Sequence, residues 1–116
     1  MKLLDSLINF YFLKMDLLSE KEVYYNFCTS LESIGILSKV QSIKTIGERI
    51  KEKEITLDKI LNYVEGIKDP LIRELLKERY IKNKTWEQVG ERLGYTSTHT
   101  QRLNKKIIQS LESIEI

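Results

Sequence analysis

Residues 84–107 read KTWEQVGERLGYTSTHTQRLNKKI, and they hold two helical patterns separated by a short break around Gly94. Thr85 with Gln88 three residues on has the form of a capping box, which marks a helix start. Trp86, Val89 and Leu93 follow as the apolar stripe of that helix. Gly94 stands just past the last apolar position, where a left-handed backbone suits glycine, and Tyr95 is placed to fold back over the turn. Thr96 caps a second helix with apolar positions at Leu103, Ile107, Ile108, Leu111 and Ile114. That helix opens on Ser97, Thr98, His99, Thr100 and Gln101, all small or polar. A helix that only packed would place larger apolar residues there. Short helix, glycine turn, longer helix is the helix-turn-helix pattern, whose second helix turns its first residues toward base edges in the major groove. The plain alternative is a helical hairpin with a solvated polar face.

Projection from the Thr96 cap puts Ser97, Thr98, Gln101 and Arg102 on the side away from Leu103 and Ile107, with Lys105 one turn further on. Arginine can pair with guanine and glutamine with adenine, while serine and threonine discriminate less. Charge points the same way. Residues 77–106 carry eight basic side chains against three acidic ones, and no acid stands between Arg92 and Lys106. Residues 1–68 are balanced, with ten of each sign. A local positive face suits a phosphate-bearing partner, and a solvated helix face fits charge alone as well.

The remaining chain reads as all-α. It has 116 residues, with 41% hydrophobic and 31% charged side chains, enough for a packed core. Leu3, Leu4, Leu7, Ile8, Tyr11, Phe12, Met15 and Leu18 recur at helical spacing. Ser19 with Glu22 predicts a new helix from Glu20 carrying Val23, Tyr24, Phe27, Leu31 and Ile34, which Gly35 ends or interrupts. Ile36, Val40, Ile43, Gly47 and Ile50 form a short seven-residue repeat. Thr56 predicts a cap for a helix over 57–67. Asp69-Pro70 is a strong start signal for a helix bearing Leu71, Ile72, Leu75, Leu76, Arg79 and Tyr80. The division expected is a helical N-terminal region over 1–68 and a DNA-binding domain over 69–116, with six or seven helices in all.

Several classes fall away. The N-terminal run is broken by Asp5, Asn9, Lys14 and Asp16, too charged for a membrane span and without the cleavage site of an export signal. Cys28 is the only cysteine, so no intrachain disulfide forms, in keeping with a reducing cytoplasm. One histidine and one cysteine build no zinc finger. No phosphate-cradling glycine loop and no set of acid, base and nucleophile stands out, so neither an enzyme nor a cofactor is expected. Trp86 reads as core, and Arg79 and Arg92 as phosphate contacts or partners of nearby acids.

Residues 69–111, DPLIRELLKERYIKNKTWEQVGERLGYTSTHTQRLNKKIIQSL, resemble region 4 of bacterial sigma factors without a gap. They are similar above all to the sigma-region-4-like late-transcription regulators of phages, of the ArpU and RinA type. The resemblance rests on a helix ending in LKERYI, then KTWEQVGERLGY, a polar recognition-helix start, a basic turn and KIIQSL. It implies a sequence-specific transcriptional regulator, phage- or prophage-encoded, reading the major groove through a helix over 96–115. The base contacts carried across are Ser97, Thr98, Gln101 and Arg102. Sigma factors usually have longer charged residues where Ser97 and Thr98 stand, so a different target sequence is implied. Thr100 occupies a position usually apolar and buried, where a hydroxyl bonded one turn back is tolerated.

The phosphate contacts expected are Lys84, Thr85, Arg92, His99, Lys105 and Lys106. The partners expected are double-stranded DNA, RNA polymerase and a second copy of the chain through the N-terminal helices. Two rival readings stand beside this one: a packaging protein of the terminase small-subunit kind, and an interaction module that docks on RNA polymerase.

Overall fold

The computed structural model describes residues 2–34 and 40–116, and they form an all-helical protein. In chain order the helices are α1 (Leu3–Ile8), α2 (Phe10–Ile34), α3 (Val40–Glu65), α4 (Pro70–Leu76), α5 (Trp86–Leu93) and α6 (Ser97–Leu111). A π turn over Lys77–Ile81 continues α4. No helix among the described residues is long and apolar enough to cross a membrane.

Contacts divide the chain into two compact units, Met1–Tyr11 with Lys59–Ile116, and Phe12–Asp58. In the first unit Leu3, Leu7, Phe10, Ile60, Val64, Leu75, Leu76, Val89, Ile107 and Leu111 are buried together with the polar Glu78, Thr100 and Asn104. The chain ends meet there: the Leu3 N–H donates to the Ile114 carbonyl at 3.0 Å, and Lys2 and Glu115 form an isolated bridge. Ile114 therefore lies beyond α6, which stops at Leu111 rather than running to residue 115. Lys77 pairs with Glu65 at 2.9 Å, and this ion pair raises the lysine pKa.

The second unit buries Leu17, Ile46 and Leu57. Lys53 reaches Asp16 at 2.7 Å and Glu20 at 2.9 Å, and Lys21 meets Glu54 at 2.8 Å. These ties join the first half of α2 to the middle of α3, and the hydrogen bonds to Asp16 and Glu20 raise the Lys53 pKa.

Two expected helix starts are corrected. No helix starts at Glu20, because α2 runs through Ser19 and Glu22. The break falls at Asn9, whose side-chain amide donates to the Asp5 carbonyl at 2.9 Å. None starts at Leu57 either: α3 continues through Thr56, whose hydroxyl donates back to the Glu52 carbonyl at 3.0 Å. A cap residue stops a helix only where the backbone leaves helical geometry, and inside one its oxygen turns to the preceding turn instead. Leu17 and Leu57 are buried beside these positions. Of the seven-residue repeat, Ile43, Gly47 and Ile50 are half-buried, and Gly35 and Ile36 lie outside the described residues.

Candidate nucleic-acid interface

The turn between α5 and α6 is built from local signals. Thr85 Oγ1 accepts the Gln88 N–H at 3.3 Å and Gln88 Oε1 accepts the Thr85 N–H at 3.0 Å, so both halves of the capping box form. Gly94 adopts φ 80° and ψ 29°, the left-handed geometry that L side chains disfavour. Thr96 Oγ1 then accepts the His99 N–H at 3.1 Å and starts α6. Thr100 is fully buried and its hydroxyl donates to the Thr96 carbonyl at 2.8 Å, as the sequence implied. Asn104, one turn on, accepts the Tyr80 hydroxyl proton at 2.8 Å and ties α6 to the π turn. Burial raises the Tyr80 pKa against the opposing pull of that bond.

This buried side of α6, Thr100, Asn104, Ile107 and Leu111, fixes what the other side presents. Thr98, His99, Gln101, Arg102, Lys105, Lys106 and Gln109 are exposed. Ser97 is half-buried and receives the Gln101 amide at 3.2 Å, so it stands at the edge of the face rather than on it. Among the described residues, no ion pair engages Arg102, Lys105 or Lys106. The two lysines, Arg102 and His99 line a shallow depression with Leu103 and Gln109. Tyr95 is 41% exposed, and its ring lies 4.8 Å from that of His99.

Lys84 and Arg92 have a different setting. Glu78, which the sequence reading passed over, is completely buried. Its Oε1 meets Lys82 Nζ at 2.9 Å and Arg92 Nε at 3.8 Å, and its Oε2 forms an ion pair with Lys84. Burial pushes the Glu78 pKa up, but the hydrogen bonds from Lys84 and Lys82 prevail and hold the carboxyl below its ordinary value. The connector carrying these lysines is itself held. The Lys84 N–H donates to the Glu78 carbonyl at 3.1 Å, and the Lys84 carbonyl accepts from Arg79 Nη1 at 2.8 Å. Arg79 also lies 4.3 Å from the centroid of the Trp86 ring. Trp86 is thus a half-buried platform for Arg79 rather than a core residue, and Arg79 is a strut of the connector. Asn83 between the lysines has φ 56°.

The sequence carried a signal for Glu78 in the lysine four residues on, but not for its burial. The reading also missed Gly90, where an added Cβ would stand 2.6 Å from the Tyr95 carbonyl oxygen. No protein-family model, curated protein or solved structure matches the chain.

Proposed function

We propose that this chain is a DNA-binding transcriptional regulator, of the phage kind its sequence resembles, that lays the start of α6 in the major groove. The observation that carries the reading is the exposed face of α6. Thr98, Gln101, Arg102, Lys105 and Lys106 stand on it without an acidic partner among the described residues, while Thr100, Asn104 and Ile107 anchor its back. A helix whose exposed face carries unpaired cations beside amide and hydroxyl groups is suited to phosphate and base edges together. Gln101 and Arg102, with Thr98 and the edge residue Ser97, make the base contacts in this reading. Lys105, Lys106, His99 and Thr85 contact phosphates.

Selection from random duplexes tests it. Wild type enriches one sequence, and Arg102→Ala or Gln101→Ala loses about 1–3 kcal/mol on that sequence and much less on random DNA. Equal losses on both would reduce these residues to backbone contacts.

The same proposal includes pairing of two copies through the N-terminal helices, which doubles the DNA site read. Its support is the apolar surface of the second unit, where Phe12 and Tyr25 are 71% and 70% exposed and Met15 and Leu18 are also exposed. Light scattering of the full chain at tens of micromolar should give twice the chain mass; the single-chain mass, with and without DNA, would remove the dimer from the account.

A further inference from the structure

The cations on α6 and those beside Glu78 have different settings. Arg102, Lys105 and Lys106 have no ion-pair partner among the described residues. Lys82 and Lys84 converge on one carboxylate whose side chain is 1% exposed, although their own side chains remain 50% and 38% exposed. Arg92 approaches the same carboxylate only at 3.8 Å and keeps 64% exposure. The groove beside them is lined by Lys84, Gln88, Glu91 and Arg92, which adds a second carboxylate. By sequence alone, Lys84 and Lys105 look like equal contributors to a positive surface.

We propose that Glu78 acts as an internal stand-in for a DNA phosphate, holding Lys82 and Lys84 so that neither neutralises the DNA backbone. Phosphate contact is thereby confined to the cations of α6. The inference rests on the DNA-binding reading and refines it. A buried carboxylate cannot release its lysines cheaply, because water does not reach it to replace them and an uncompensated buried charge is strongly unfavourable. Geometry reinforces the hold. Lys84 is fixed through its own backbone, N–H to Glu78 and carbonyl to Arg79, so its ammonium group is delivered to Glu78 by the shape of the connector. A lysine already neutralised by an internal carboxylate does not neutralise a phosphate, so it displaces none of the counterions condensed on the DNA and adds little to salt-dependent affinity. Arg92, at the margin of the cluster, is attenuated rather than withheld.

The test is a salt titration of full-length protein on a labelled random-sequence duplex, comparing wild type with Lys82→Gln, Lys84→Gln, Lys105→Gln and Glu78→Gln. Lys105→Gln should lower affinity roughly tenfold at low salt and reduce the slope of log K against log salt by about 0.9. Lys82→Gln and Lys84→Gln should each change affinity less than about twofold and leave the slope intact, because those cations are already neutralised. Glu78→Gln, where circular dichroism shows it folded, should bind several-fold tighter with a steeper slope. If Lys84→Gln loses as much as Lys105→Gln, or folded Glu78→Gln binds no tighter, the inference is overturned and the DNA reading stands. The lysine variants are decisive on their own if Glu78→Gln does not fold. Wild type that binds no duplex at low salt overturns both.

Discussion

The Tyr95 amide donates to the Gly90 carbonyl at 2.9 Å, and the Tyr95 carbonyl in turn lies over the Gly90 Cα, 2.6 Å from where a Cβ would stand. Thr100 Oγ1 is 3.2 Å from the same point. This approach brings the end of α5, the turn and the first turn of α6 into one packed corner, so the orientation of the α6 face depends on a missing side chain.

Gly90→Ala should therefore destabilise the protein by about 1–3 kcal/mol, since backbone rather than a flexible side chain must move. Gly94→Ala meets open space and should cost about 1–2 kcal/mol, from its left-handed backbone alone. Urea denaturation of both variants measures the costs. DNA affinity separates them further: Gly90→Ala shifts α6 and should weaken binding even where the protein is folded. A fully stable Gly90→Ala variant would contradict the packing described.

Truncation should be severe. Leu3, Leu7, Ile60 and Val64 are buried in the same unit as α5 and α6. Each contributes about 1.5–3 kcal/mol by burial. Their sum is comparable to the roughly 5–15 kcal/mol stability of a whole domain. A fragment over 69–116 should thus lose cooperative thermal unfolding by circular dichroism. Retention of a sharp transition would show that α1 and the end of α3 are dispensable.

Acid sensitivity follows from Glu78. Its pKa is lower in the folded protein than in the unfolded chain, so the stability it contributes is complete above the unfolded value of about 4.3 and is lost as pH falls through the lower folded value. Thermal midpoints should fall as pH drops below about 4, and Glu78→Gln should flatten that part of the profile while lowering the midpoint at neutral pH. An unchanged acid profile in Glu78→Gln would assign the loss to other carboxylates.

Features set by neighbouring residues were legible in the sequence. Asp69 accepts the Leu71 N–H at 2.9 Å ahead of Pro70, and the Thr85 box, Gly94 and Thr96 all form as their spacing predicts. In each, partners lie within four positions, so the chain carries the whole signal. Ser19 and Thr56 show the reverse, because a hydroxyl that caps an end also sits inside a helix, and the spacing to the next residues does not distinguish the two. The position of α1 beside α6 was not legible, since Leu3 meets Ile114 across almost the whole chain. Nor was the burial of Glu78: the lysine pattern KNK around Asn83 shows its charge partners only once the connector folds back over the π turn. On the α6 face, the spacing placed Thr98, Gln101 and Arg102 outward, whereas Ser97 lies half-buried at the edge, where the Gln101 amide reaches it.

Fluorescence anisotropy of the full chain with a labelled duplex, between about 50 and 200 mM salt, measures whether α6 binds the DNA backbone. The expected result is binding at low salt that weakens steeply as salt rises, with Lys105→Ala and Lys106→Ala each reducing the slope by about 0.9. Absence of binding at the lowest salt, or an affinity flat across the range, would contradict it.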